Sequence, residues 1–360
     1  MTVTLEWIAG SESDGANSYL AEWGSYSAVN GVVSCATARP YTGAYSLRFY
    51  LPNPANSIGY AFVQHALAPT YQGRFGFYLY TDFLTANPAN PSGLLQVGAA
   101  SQLFGLQWAA DTGNLELVVG GTVVATWAAQ VTSAYHYISV DFKIDPSAGW
   151  VKVWNDGVLM LSFAGSTGSA QATTLMLGQY ISSTTNTCFW DGNNLIDVDD
   201  FVLYDTTGET SAAPLPGDRF PWFEYTADGS TATFTPSSGS SHVAMLDEIP
   251  DDGDATYNYA TAAGQIDTFS HAAFTLPAGY SVVAVIPTMI ARKTDAALAT
   301  AVAGYAGQGS SVAAGAALAL ATSYAAITAS AIPADPATGQ PWTAAGVNTA
   351  QFGYESAGAF

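Results

Sequence analysis

The chain has 360 residues, 49% of them hydrophobic and 13% aromatic, with 10% charged and a formal charge of -20. That length suffices for two sizeable cores, and 8 Lys and Arg against 28 Asp and Glu exclude the counterion-releasing contacts on which nucleic-acid binding depends. Abundant Tyr, Phe and Trp beside Gly favour pleated, half-buried surfaces and an all-β class, and the acidic excess reads as a solvated, self-repelling surface.

The opening residues, MTVTLEWIAG, have neither a basic n-region nor a long apolar core, so Sec-type export is not expected. Strands are predicted at 45–51, 74–80, 103–109, 115–119, 122–128, 135–144 and 150–154. Turn chemistry separates them at Asp111-Thr112-Gly113, at Gly120-Gly121 and, most clearly, at Asn155-Asp156-Gly157, because glycine supplies the positive φ that short hairpins require. Within 137–144, Tyr137, Ser139, Asp141 and Lys143 share one face, and Ile138, Val140, Phe142 and Ile144 the other. One face is expected to pack and the other to be wet. At 196–205 the run IDVDDFVLYD puts acids at the mouth of an apolar strand. On an unbroken strand Asp197 and Asp199 share a face, while Asp200 points with Ile196, Val198 and Val202 unless a bulge re-aims it.

Residues 206–218, TTGETSAAPLPGD, cannot continue a central strand. The expected organisation is a domain at 1–207, a linker at 208–217 and a second, smaller β-sandwich at 218–360, where turn signals again recur at short intervals. A short helix is predicted at 295–303 with Asp295 as N-cap. At 314–331 alanine favours helix while Leu318 and Leu320 keep a two-residue period, and strands are preferred. The apolar run 312–332 is interrupted by Gly315, Thr322, Ser323, Thr328 and Ser330, so no membrane insertion is expected. Neither an internal repeat nor a heptad pattern indicates a propeller, a β-helix or a coiled-coil shaft.

Chemistry-bearing groups are sparse. Glu12-Ser13-Asp14 comes nearest to the paired carboxylates of glycoside hydrolysis, but Asn17 stands where an E-x-D-x-x-E pattern needs its third acid. Asp197, Asp199 and Asp200 gather the hard oxygens that calcium prefers. The run 247–254 holds five acids without calcium-loop spacing and reads as a solvated loop, with a cation site or a docking loop as its other uses. His65, His136, His242 and His271 are scattered outside any metal or nucleophile motif, and neither a G-x-S-x-G elbow nor a phosphate loop occurs. Cys35 and Cys188 are too few and too distant in sequence for a disulfide framework or zinc site; they read as buried thiols, and a bridge between them stays open. Trp7, Trp23, Trp190, Trp222 or Trp342 would stack on a pyranose if exposed and otherwise pack. No catalytic residue, cofactor or metal is assigned.

The stretches IAGSESDGA at 8–16 and TARPYTGAYSLRFY at 37–50 resemble the first two strands of laminin-G or concanavalin A-like jelly rolls in bacteriophage structural proteins, and IDVDDFVLYD resembles the closing strand. GWVKVWNDGVLMLSF resembles a hairpin common in lectin-like jelly rolls. GDRFPW, DEIPDDGD, DTFS and the ending W-T-x-x-x-V-N-x-x-x-F-G-Y resemble a domain that often follows such a jelly roll in phage proteins. The resemblance implies a non-enzymatic virion structural protein, tail-associated or surface-displayed, assembled in the bacterial host cytoplasm. It further implies a homo-oligomer that contacts other virion proteins and a host surface glycan. It also implies structural use of the 197–200 acids, a carboxylate binding nearby backbone N–H groups. The alternatives are a capsid decoration or head-fibre protein and a polysaccharide depolymerase.

Overall fold

Alternating apolar positions give each strand one face to bury, and in the computed structural model the chain satisfies them in two compact units. One comprises Met1–Glu12 with Ala16–Pro221, the other Ser13–Gly15 with Trp222–Phe360. The structure describes residues 4–9, 23–41, 46–51, 60–81, 91–109, 112, 114–128, 134–181, 194–210, 212–213, 215, 217, 225–246, 253–276, 279–308 and 311–360.

The first unit contains β1 (Thr4–Ala9), β2 (Ser25–Val29), β3 (Val32–Ala36), β4 (Ser46–Leu51), β5 (Tyr60–Thr70), β6 (Gln72–Thr81), β7 (Ser92–Gly98) and β8 (Gln102–Trp108). It continues through β9 (Leu115–Val119), β10 (Thr122–Trp127), β11 (His136–Lys143), β12 (Gly149–Asn155), β13 (Val158–Gly165), β14 (Ala172–Ile181) and β15 (Asn194–Asp205). Sheet 1 has the order β13-β12-β11-β6-β15-β4-β3 with β1 also on β15; sheet 2 has the order β10-β9-β8-β7-β14-β5-β2. Strands β4 to β7 alternate between the sheets and β13 to β15 do so again, which is jelly-roll winding. The all-β expectation holds.

Phe49, Phe75, Phe77, Phe142 and Phe201 of sheet 1 meet Leu95, Phe104, Leu106, Leu175 and Leu177 of sheet 2 in one core. Phe104 crosses the interface to Phe142 with ring centroids 5.1 Å apart, and each fully buried side chain of this size contributes about 2–3 kcal/mol by area. The Asp156-Gly157 turn takes φ of 48° and 79°, the left-handed pair that a two-residue hairpin needs.

In the first unit the bulge that the sequence reading held open is present, and one feature departs from that reading. The ladder between β15 and β6 shifts register between Asp199 and Val202, and Asp200 adopts φ 49°. This bulge reverses the faces beyond it: Phe201 and Leu203 join Ile196 and Val198 in the core, whereas Val202 packs outside with Tyr78, Tyr137 and Leu215. The departure concerns 208–217, expected as a linker. Its described residues pack on sheet 1 as a strap: Leu215 is buried, its N–H donates to Ser139 Oγ at 2.8 Å, and the Ala213 N–H donates to Asp141 Oδ2 at 3.2 Å. Tyr137, Ser139 and Asp141, expected to be wet, are therefore buried. Gly76 makes room for this, because a Cβ there would collide with Tyr137 Oη.

The second unit contains β16 (Tyr225–Ala232), β17 (Thr235–Pro236), β18 (Asn258–Tyr259), β19 (Ile266–His271), β20 (Thr288–Ala291), β21 (Thr300–Gln308), β22 (Ser311–Ala314), β23 (Leu318–Ala319), β24 (Ala325–Thr328), α1 (Ala344–Thr349) and β25 (Gln351–Gly358). The sheet β16-β19-β25-β21-β22, with β23 on β21, is faced by the β20-β24 pair: Met289 and Ile327 pack on Phe269, Val302 and Tyr354. This is the smaller sandwich. The helix predicted at 295–303 is not formed. The Asp295 carboxylate closes a turn onto the Ala297 N–H at 2.8 Å, and Thr300 onward pairs with β25, where ladder bonds outweigh alanine's helix preference.

Candidate functional site

The acids of β15 are held by neighbours. Asp197 is buried and takes both nitrogens of a bidentate Arg48 contact, at 2.7 and 2.8 Å, with Arg39 Nη1 at 3.9 Å. Arg39 lies over the Tyr80 ring, 4.6 Å from its centroid, and its carbonyl accepts the Tyr135 hydroxyl. Burial, and then the Asp197 charge, pushes the Tyr135 phenol far above its ordinary range. Asp199 accepts the backbone N–H groups of Tyr41 at 2.7 Å and Asp200 at 2.9 Å.

Beneath the strap, Arg74 reaches Asp141 Oδ2 at 2.6 Å and Glu209 Oε2 at 2.6 Å, and Trp150 Nε1 donates to Asp141 Oδ1 at 2.9 Å. Burial outweighs these contacts and raises the Asp141 pKa. Of the eight Lys and Arg in the chain, five belong to this face: Arg39, Arg48, Arg74, Lys143 and Lys152. The three guanidinium groups face carboxylates, and Lys143 Nζ sits 5.2 Å from the centre of the Trp150 ring. Sheet 1 thus carries a lattice of paired charges, part of it under the strap.

The outer face of sheet 2 is built differently. No Lys or Arg occurs in any of its strands. Register places Ser25, Gln64, Met176, Gln96 and Gly105 side by side on β2, β5, β14, β7 and β8. The neighbours of these outward positions, Val63, Leu175, Leu177, Leu95 and Val97, are fully buried in the core, whereas Gln64, Met176 and Gln96 are half-buried. Among the described residues no hydrogen bond engages the side-chain amide of Gln64 or Gln96. The two flank Met176 two strand spacings apart, about 10 Å. One step along the strands, Ser27, Phe62 and Gly178 form a parallel row, while Gln107 Nε2 donates to Glu116 Oε2 at 2.8 Å beside Thr126. This lane offers amides, a thioether and a ring to a passing ligand.

Among the solved structures similar to this chain are polysaccharide lyases and a carbohydrate-bound domain. An endo-β-1,4-glucuronan lyase from Trichoderma reesei is 15% identical with a TM-score of 0.43, covering 56% of this chain and 96% of its own. An alginate lyase in complex with alginate tetrasaccharide is 11% identical with a TM-score of 0.40, covering 56% and 96%. Domain 4 of an arabinanase from Geobacillus stearothermophilus, in complex with arabinotriose, is 14% identical with a TM-score of 0.35, covering 60% and 96%. No family model and no curated sequence matches. The expectation of a non-enzymatic chain is corrected here, since polysaccharide lyases stand among these structures. Likeness of this degree leaves the ligand to be argued from the chain's own side chains.

The second unit brings together groups that the sequence left scattered. Asp267, buried on β19, has Oδ2 2.6 Å from His242 Nδ1 and 3.5 Å from the Tyr354 hydroxyl, while Oδ1 accepts the N–H groups of Thr233 at 2.8 Å and Phe234 at 3.0 Å. Asn258 Nδ2 donates to the Tyr354 hydroxyl at 3.0 Å and to the His242 carbonyl at 2.8 Å. This knot ties loops to the sheet. Asp254, of the acidic run, accepts from Arg292 at 2.7 Å and from the Tyr324 hydroxyl at 2.9 Å. His136 pairs with Asp156 at 2.7 Å, His271 Nδ1 and Nε2 face the carbonyls of Ala272 and Val347, and His65 is half-buried on β5. Cys35, Trp23 and Trp342 are buried. Glu12, Asp14, Asn17, Cys188, Trp190, Trp222, the acids of 247–252 and the side chain of Trp7 lie outside the described residues. Among the described residues no cluster of three or more His, Cys, Asp or Glu is placed to hold a metal ion.

Proposed function

We propose that the first unit binds an extended polysaccharide along the outer face of sheet 2. The observation that carries this reading is the pair of Gln64 and Gln96 amides, aligned on either side of Met176 on a rigid sheet and without hydrogen-bond partners among the described residues. Each amide both donates and accepts, so it matches adjacent sugar hydroxyls, and Phe62 adds a ring on the neighbouring row. Rigid strands hold such groups without an ordering cost at binding.

The test is affinity electrophoresis of the full chain in gels containing single polysaccharides. Replacing both glutamines, Gln64→Ala with Gln96→Ala, removes two hydrogen bonds of about 1 kcal/mol each and should weaken binding by roughly thirtyfold. The melting temperature should stay unchanged. Binding indifferent to the double substitution would sink the reading. The same incubations, analysed for newly released reducing or unsaturated ends, report whether the bound chain is also cut.

The biological setting that we attach to this binding is display on a bacteriophage particle in many copies, where avidity multiplies a modest single-site affinity. That setting rests on the sequence resemblance. Antibody labelling of particles and the mass of the purified chain in solution test placement and oligomeric state.

A further inference from the structure

We infer that the polysaccharide taken by sheet 2 is uncharged along the stretch it lays on this face. The inference rests on the reading just given and names its substrate class. Of the five Lys and Arg described in the first unit, Arg48, Arg74, Lys143 and Lys152 stand on strands of sheet 1 and Arg39 follows β3, and the guanidinium groups face Asp197, Asp141 and Glu209. Sheet 2 has no Lys or Arg in any strand, and its strands carry one acid, Glu116. A carboxylate lying on Gln64 and Gln96 would surrender part of its hydration and meet amides but no Lys or Arg of the sheet, which is the costly way to bury a charge. Two smaller effects act in the same direction. Glu116 sits about 12 Å from the Gln96 position by strand geometry, far enough that its repulsion weakens a single carboxylate by only about a factor of two. The formal charge of -20 repels a polyanion at long range, and salt screens that effect. Desolvation without a counter-charge is therefore the deciding effect. A neutral sugar meets none of these costs, because its hydroxyls exchange water for amides.

The experiment compares polygalacturonate, alginate and glucuronan with their carboxyl-reduced forms, alongside neutral arabinan, xylan and galactomannan, all on the full chain. Each is measured at low and high salt, about 0.02 and 0.5 M. At least one uncharged polymer should bind with an affinity that salt leaves unchanged. Carboxyl reduction should strengthen binding of the acidic polymers at least tenfold, and Glu116→Gln should recover only about twofold of that difference. An acidic polymer held more tightly than its reduced form at low salt, and lost with Gln64→Ala and Gln96→Ala, overturns the inference while leaving the face in place. If no polymer binds in either form, or if the glutamine substitutions change nothing, the face itself is wrong and the inference falls with it.

Discussion

The Asp267 knot allows a quantitative test of what holds the second unit together. Replacing Asp267 by Ala removes an acceptor that serves Thr233, Phe234, His242 and Tyr354. The Thr233 N–H keeps the Ile266 carbonyl at 2.9 Å and is not orphaned, whereas the Tyr354 hydroxyl still accepts from Asn258 at 3.0 Å but loses its long 3.5 Å contact to an acceptor, a small further cost. The Phe234 N–H and the His242 ring N–H lose the partner seen here, each at about 1–3 kcal/mol, and the lost charge partner carries the sum to about 3–5 kcal/mol. A small domain has only about 5–15 kcal/mol in total. Asp267→Asn retains an oxygen for the backbone donors and should cost about 1–2 kcal/mol, provided His242 changes tautomer. Hydrogen exchange read by mass spectrometry, peptide by peptide along a urea series, separates the units: peptides from 225–360 should lose protection at lower urea and those from the first unit should not. If Asp267→Ala shifts the second unit by less than about 0.5 kcal/mol, the accounting of orphaned donors is wrong.

Two further outcomes follow from the first unit and from the Asp254 cluster. Leu215→Ala, which empties the pocket lined by Tyr78, Tyr137 and Val202, should destabilise the first unit by about 2–4 kcal/mol in urea unfolding, whereas a true linker residue would change nothing. Carbon-detected NMR titration of the carboxyl groups should find Asp141 above and Asp254 below the ordinary value of 3.8, because burial dominates at the first and the Arg292 hydrogen bond at the second. The signs differ for stability too. The Asp254 contribution is complete above 3.8 and fades as pH falls through its depressed value, while any contribution from Asp141 is complete below 3.8 and fades as pH rises through its raised value.

Much of the fold was legible where strands alternate cleanly or end in obligate turns. Strand β9 matches its predicted bounds, 115–119, and the Asp156-Gly157 turn falls where glycine demanded it. Strands β5 and β14 were harder to see, because Gln64, His65 and Pro69 interrupt the apolar period in one and Gly178 and Gln179 in the other; sheet pairing supplies what local pattern lacks. The sequence leaves the bulge at Asp200 open as an alternative to an unbroken strand, since a single left-handed residue leaves no compositional trace. The ending W-T-x-x-x-V-N-x-x-x-F-G-Y is now physically readable. Trp342 donates to the Ile332 carbonyl at 2.8 Å, Thr343 caps α1 on the Gly346 N–H at 2.9 Å, and Asn348 brackets the backbone of Phe274. Gly353 is required because a Cβ there would collide with the Asp267 carbonyl.

The candidate site was hidden for a different reason. Reading a sequence for chemistry favours acids, histidines and cations, and in this chain those described groups are largely spent on one another: Asp197 on Arg48, Asp141 on Arg74, Asp267 on His242. Glutamines on separate strands carry no motif spacing, and only the register of β5, β14 and β7 reveals Gln64 and Gln96 as neighbours on one face. The strap decides which face matters. It covers the Arg74 part of the charged side with Leu215 and Glu209, so a ligand approaching sheet 1 there must first displace a buried leucine and a half-buried ion pair. On sheet 2 it meets half-buried amides whose lost water is replaced by the ligand's own hydroxyls. That difference in desolvation, rather than the number of charged groups, is why the chemically plainer sheet is the one assigned to binding.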